Sequence, residues 1–221
     1  MRYRSLFFDL DGTLLDTIED IAFAINEALR QTGFPGHFDR DSAKALIGDG
    51  ADMLVRRALK EKGEDLQAFR TLKTAYMPLY RDHQKDHAHP FEGMMETLMS
   101  LRKNGISLFV VTNKPDHLAK AVVEEKIGKG IFYEILGIKE GEKVKPDPYL
   151  VNRIVKEKGL DKRECLYVGD SHVDVETAKN AKMDSCLCLW GYGNYALPFV
   201  QEATYSINSP KELLSVVLGK E

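Results

Sequence analysis

Cysteine is scarce in this 221-residue chain: Cys165, Cys186 and Cys188 are the whole set. Three is an odd and sparse number, which argues against a disulfide framework and points to a reducing cytoplasm. Cys186 and Cys188 alternate within 185–190, the spacing of two small residues on one face of a buried strand rather than of a metal or redox pair. An excess of either charge is also missing: 31 lysines and arginines stand against 34 aspartates and glutamates, a formal net charge of −3. That balance supplies no nucleic-acid-binding face. No apolar run approaches the roughly 20 residues that span a membrane. Residues 1–5 carry charge but lead into no long apolar segment and no small-residue cleavage site. Internal repeats and low-complexity tracts are absent. The expectation is a cytoplasmic monomer or homodimer that binds neither nucleic acid nor membrane.

The remainder is ordinary globular material, 43% hydrophobic and 29% charged, enough for one full core or a core with an insertion. Tyr3–Asp9 reads as a first strand. Asp16 or Thr17 is placed to cap a helix, with Glu19 or Asp20 as capping-box partner. Ile18, Ile21, Ala22, Ile25 and Leu29 then keep helical spacing until Gly33. From there to residue 85 the pattern is helical, over 40–46, 51–62 and 65–80, with a flexible turn at Leu46–Gly50. The stretch 83–90 is polar, ends in a proline and reads as a solvated linker. After Phe91, helices (94–104, 115–126, 149–158, 173–181, 211–218) alternate with β-rich apolar runs (106–112, 132–136, 165–169, 185–190). Such alternation predicts an α/β fold, a doubly wound, Rossmann-like parallel sheet. The helical block after strand one predicts an inserted helical domain over 16–85, between core segments 1–15 and 86–221.

In open α/β sheets the ligand sits beyond the carboxyl ends of the strands. Asp9, Thr112 and Asp170 each fall at or just past such an end. Asp9 and Asp11 stand one residue apart, and like charges that close raise each other's pKa unless something positive lies between them. Asp170 and Asp174 add two more carboxylates around a helix start. The four together form an all-oxygen crevice suited to Mg²⁺. Lys145 stands on a Pro-Asp-Pro turn and is pushed into an extended conformation by Pro146, a fixed point charge for a phosphate. Thr112 and the Asn113 backbone N–H can hydrogen-bond phosphate oxygens at a strand end. Gly48 and Gly50 let the backbone come close to the site when the helical segment shuts over it.

Asp9-Leu-Asp-Gly-Thr13, Val111-Thr-Asn113, Lys145-Pro-Asp-Pro148 and Gly169-Asp-Ser-His-Val-Asp174 follow one another in that order. In this the chain resembles the haloacid dehalogenase superfamily of phosphohydrolases, over nearly its whole length, and the helical insertion is similar to the superfamily's α-helical cap. The stretches 46–55, 90–93, 110–115 and 191–193 look most like those of the phosphoglycolate phosphatase group. The resemblance implies a phosphatase of a small phosphorylated metabolite, with 2-phosphoglycolate as the leading candidate. It implies Asp9 as nucleophile, forming an aspartyl-phosphate, and Asp11 as the acid and base that serves leaving alcohol and water. It also implies Mg²⁺ held by the Asp9 carboxylate, the Asp11 backbone carbonyl and Asp170, with Asp174 orienting Lys145 or metal-bound water. Thr112, Asn113 and Lys145 would steady the transferring phosphoryl group. Dehalogenases that resemble this family lack the second aspartate, so Asp11 favours phosphoryl chemistry.

Three other functions share parts of this pattern. An inorganic pyrophosphatase is separated by relative rates, a sugar-phosphate phosphomutase by its product, and a non-enzymatic phospho-aspartate switch by a long-lived phosphoprotein. Several conspicuous residues have plainer expectations. His83, His87 and His89 read as a solvated hinge, Tyr76 and Tyr80 as packing within the cap, and Arg56 and Arg57 as a solvated helix face, with one of them facing an anionic substrate group as the alternative. Ser171 reads as a cap or turn residue, and His172 as a bystander in its motif.

Overall fold

The computed structural model describes residues 2–193, 195 and 200–219. Met1, and residues 194, 196–199 and 220–221 of the expected core segment, lie outside the described residues. The chain begins with β1 (Ser5–Phe8), crosses β2 (Leu15–Asp16) and enters four helices: α1 (Ile18–Thr32), α2 (Arg40–Lys44), α3 (Gly50–Leu59) and α4 (Leu66–His83). It returns through β3 (His89–Pro90). Then come α5 (Met94–Lys103), β4 (Ser107–Pro115), α6 (Asp116–Lys126), β5 (Glu134–Ile138), α7 (Tyr149–Lys158), β6 (Cys165–Gly169), α8 (His172–Ala181), β7 (Asp184–Cys188), β8 (Tyr205–Ile207) and α9 (Glu212–Leu218).

Six strands form one parallel sheet in the order β5-β4-β1-β6-β7-β8. Successive strand residues face opposite sides, and both sides are apolar. Leu6, Phe8, Leu108, Val110, Leu166 and Val168 share one face with buried residues of α5, α6 and α9. Phe7, Phe109, Val111 and Tyr167 share the other with α7 and α8. A sheet covered on both faces needs the continuous apolar runs that the sequence shows. Chain order moves outward from β1 through β4 to β5, then resumes on the other side with β6. That reversal puts a crevice at the carboxyl ends of β1, β4 and β6.

Helices α1–α4 build a separate apolar cluster, centred on Ile18, Ile25, Leu29, Val55, Leu72 and Tyr76. They lie between β2 and β3, which pair antiparallel with Leu15 opposite Pro90 and Asp16 opposite His89. The expected solvated linker is therefore partly a strand. Its histidines are held as well: His83 Nδ1 lies 2.7 Å from Asp86, and the His87 and Ala88 N–H groups each donate at 2.9 Å to the buried Asp20 carboxylate. Asp20 thus ties α1 to the returning chain instead of completing a capping box. Thr17 occupies the N-cap position of α1, but its side chain makes no capping bond, because its hydroxyl is directed to Asp11. No described helix is long and apolar enough to cross a membrane.

Candidate active site

Asp9 follows β1 directly, and its N–H donates to Val168 of the neighbouring β6, 2.9 Å away. The chain then turns through Gly12 at φ +86°, where a Cβ would stand 2.5 Å from Asp170 Oδ2. Only glycine permits this approach between the β1 and β6 loops. Thr13 uses it: its hydroxyl donates to Asp170 Oδ1 at 2.8 Å. Asp170 Oδ2 accepts the Tyr192 N–H at 2.7 Å.

Lys145 lies between two carboxylates. Its Nζ is 2.9 Å from Asp9 Oδ1 and 2.7 Å from Asp174 Oδ1, and its side chain is almost wholly buried. Burial works against the ammonium charge, but Asp174 and Asp9 outweigh it and raise the pKa. The loop carrying Lys145 is braced by Asn113, whose Oδ1 accepts the Lys145 N–H at 2.8 Å and whose Nδ2 donates to the Lys145 carbonyl at 3.2 Å. Asp174 Oδ2 accepts from the N–H and hydroxyl of Ser171 at 3.0 and 2.7 Å, which closes a capping box at the start of α8. Asp174 therefore orients Lys145 with one oxygen and caps its own helix with the other.

Carboxylate oxygens of Asp9, Asp170 and Asp174 all lie within 4.8 Å of one another. Burial, reinforced by Asp174 and Asp9, pushes the Asp170 carboxyl up to about 8. Burial also pushes Asp9 up to about 6, with Lys145 opposing and Asp174 adding to the rise. Lys145 alone does not offset this concentration of negative charge. Clustered oxygen donors short of positive charge are what a hard divalent cation prefers, so the residues present fit a metal site.

Thr112 and Asn113 lie buried towards the end of β4, beside Asp9 and Asp11 along one cavity. The Gly48 carbonyl accepts from Asn113 Nδ2 at 3.2 Å, so the turn before α3 meets the end of β4. Gly48 and Gly50 have φ of +118° and +84°, values that suit glycine. The structure thus brings Asp9, Asp11, Thr112, Asn113, Lys145, Asp170, Asp174, Gly48 and Gly50 to one crevice.

Several neighbours of the crevice belong to no motif in the sequence. Lys114 is buried, with Nζ 3.2 Å from Asp11 Oδ1 and in contact with the Tyr80 hydroxyl. Its signal was a lysine at the end of an otherwise apolar strand. Tyr80 is thus more than packing within the helices. Arg56 and Arg57 are not a solvated face. Arg56 donates to the Gly63 carbonyl and lies over the Phe69 ring, while Arg57 pairs with Asp49 and donates to the Leu46 and Ile47 carbonyls.

Residues 6–188 match the family model described as haloacid dehalogenase-like hydrolase. The chain belongs to the haloacid dehalogenase-like hydrolases. It is 33% identical over 218 residues to the phosphoglycolate phosphatase of Vibrio vulnificus strain YJ016, covering 96% of this chain and 94% of that one. The phosphoglycolate phosphatase of Aliivibrio fischeri is 35% identical over 220 residues, covering 96% and 95%. Among solved structures, a Lactobacillus delbrueckii subsp. bulgaricus protein provisionally named phosphoglycolate phosphatase superposes with a TM-score of 0.91. It shares 32% identity, with complete coverage of both chains. This haloacid dehalogenase-like hydrolase is accordingly an enzyme, a phosphomonoester hydrolase similar to phosphoglycolate phosphatases.

Proposed function

We propose that this enzyme is a Mg²⁺-dependent phosphatase that hydrolyses 2-phosphoglycolate through an aspartyl-phosphate on Asp9. The observation that carries the reading is the placement of Asp9. Its carboxylate lies 2.9 Å from Lys145 Nζ, within the Asp9, Asp170 and Asp174 cluster, two residues from Asp11. Asp9 attacks phosphorus while Asp11 gives a proton to the leaving alkoxide oxygen, so the P–O ester bond breaks as the Asp9–P bond forms. Asp11 then takes a proton from water, which displaces phosphate from Asp9. Lys145 and the donors of Thr112 and Asn113 face the charge spread over the phosphoryl oxygens.

Asp9, Asp170 and the Asp11 backbone carbonyl would hold the metal, with Asp174 acting through Lys145. When bound, Mg²⁺ offsets the repulsion between an anionic nucleophile and an anionic phosphate. Residues 16–85 form the cap in this reading, moving over core segments 1–15 and 86–221, with the turn of Gly48 and Gly50 lining the crevice. Three free, buried cysteines support a cytoplasmic setting. The relatives' names support 2-phosphoglycolate as the substrate. Phosphate release from 2-phosphoglycolate, with and without Mg²⁺ and in Asp9→Asn, tests the reading. Metal-independent turnover or an active Asp9→Asn enzyme would sink it.

A further inference from the structure

Two buried lysines serve the crevice. Lys145 is committed to Asp9 and Asp174. Lys114 lies where α4 meets β4. Its ammonium has three N–H donors. One reaches the Tyr80 hydroxyl, and one is shared between Asp11 Oδ1 and Oδ2 at 3.2 and 3.5 Å. The third has no hydrogen-bond acceptor among the described residues, and the ammonium also lies 4.4 Å from the Tyr80 ring centroid. Tyr80 accepts from Lys114 through its oxygen, and its own O–H has no acceptor among the described residues. Burial holds that phenol well above its usual pKa, so it keeps its proton. Both groups line a small cavity that opens to solvent. Its wall includes Ile21 of α1, Ile47 of the turn before α3 and Leu54 of α3.

We propose that Lys114 Nζ and Tyr80 Oη form a subsite for a carboxylate on the leaving group of the phosphate ester. This rests on the hydrolytic reading above and adds to it the chemistry of the group that departs. Two adjacent uncommitted donors, one cationic and one neutral, match the two oxygens of one carboxylate. A second phosphate would bring more charge into this apolar-walled space than one shared ammonium offsets. The position fits as well. Lys114 touches Asp11, the residue that protonates the leaving oxygen, so an anion held by Lys114 lies beside that oxygen. An α-hydroxy acid leaving group, with its carboxylate one carbon from the ester oxygen, meets both requirements.

The test compares the Mg²⁺-loaded wild type with Lys114→Met, Lys114→Arg and Tyr80→Phe on three substrates. These are 2-phosphoglycolate, 2-hydroxyethyl phosphate, which replaces the carboxylate by a neutral CH₂OH, and pyrophosphate. Lys114→Met is expected to lower kcat/KM for 2-phosphoglycolate about 100-fold more than for 2-hydroxyethyl phosphate, mainly through KM. Tyr80→Phe keeps the ring and is expected to cost about 10-fold in the same direction. Lys114→Arg is expected to restore part of the preference.

Equal losses on both esters would mean that Lys114 acts only through Asp11 and would overturn the subsite. A loss confined to pyrophosphate would overturn the carboxylate assignment in favour of a phosphate. Glycolate, compared with ethylene glycol, is also titrated against the melting temperature of the loaded wild type and Lys114→Met. Glycolate is expected to raise the wild-type value alone. That readout needs no turnover, so a protein that hydrolyses neither ester but shows the glycolate shift fails the hydrolytic reading and keeps the subsite. Absence of the shift in the wild type overturns the subsite.

Discussion

The hydroxyl of Thr17 donates to Asp11 Oδ1 at 2.8 Å. Thr17 begins the first helix beyond the β2–β3 ribbon, and Asp11 stands two residues from the proposed nucleophile. Any swing of that helix relative to the sheet therefore acts on the carboxylate proposed to move protons. Thr17→Val keeps the shape and removes the bond. It is expected to lower kcat about 10-fold, the scale of one hydrogen bond to a charged group, with a melting temperature close to wild type. Steady-state kinetics beside a thermal melt check it. An unchanged kcat would mean that Asp11 is held adequately by Lys114 alone.

Asp9→Asn separates catalysis from stability. Activity is expected to fall by at least about 1000-fold, as when a nucleophile is removed from a cooperating set. The metal-free variant is expected to melt no lower than wild type, because one member of a repelling carboxylate cluster has become neutral. A lower melt in the absence of metal would show that the Asp9–Lys145 ion pair stabilises the fold more than the cluster repels.

Asp170 has a signed pH signature. Its pKa rises from 3.8 to about 8 on folding. Between those values the native state binds the proton and the unfolded chain has lost it, so stability falls as pH rises. The metal-free protein is thus expected to lose melting temperature from about pH 4 towards pH 8, with Asp9 contributing up to about 6. Because a metal competes with those protons, the gain in melting temperature on adding Mg²⁺ is expected to be larger at pH 8 than at pH 6. Melts at both values, with Mg²⁺ or a chelator, decide it. An equal gain would place the metal away from these two carboxylates.

Asp16 shows the opposite sign. Burial alone would raise its pKa, but hydrogen bonds from Arg40 and Tyr192 prevail and lower it. Its contribution is present above the unfolded value of 3.8 and is lost as pH falls through the lower folded value. Arg40→Ala is expected to cost about 1 kcal/mol near neutrality, roughly 2–4 °C in a chain of this size. The gap to wild type is expected to narrow below about pH 4. Melts of both proteins across that range test it.

The sheet was legible in the sequence because most strands are short runs of apolar residues ended by a glycine, a charge or a proline. Cys165–Gly169 and Tyr149–Lys158 fall where the pattern puts them. β8 is only three residues long, and the β2–β3 ribbon has two residues a side. Elements that short have no period to read. The crevice residues were found through motifs next to strand ends. Lys114 and Tyr80 were missed because their contact joins positions 34 residues apart, and neither segment has a local pattern requiring it. Thr17 was read as a cap because its position favours that role. The bond it makes instead needs the turn at Gly12 to bring Asp11 back to it.

The ribbon that pairs Leu15 with Pro90 and Asp16 with His89 also makes the helical block detachable. The chain leaves the ribbon at Asp16 and re-enters it at His89, residues paired across it, so everything between them is one cassette with neighbouring ends. A short turn joining Asp16 to His89 would complete a hairpin without moving the crevice floor. A different insert could be spliced at the same two points. The floor would keep its phosphoryl chemistry, and the new insert, together with Lys114 on β4, would set the substrate.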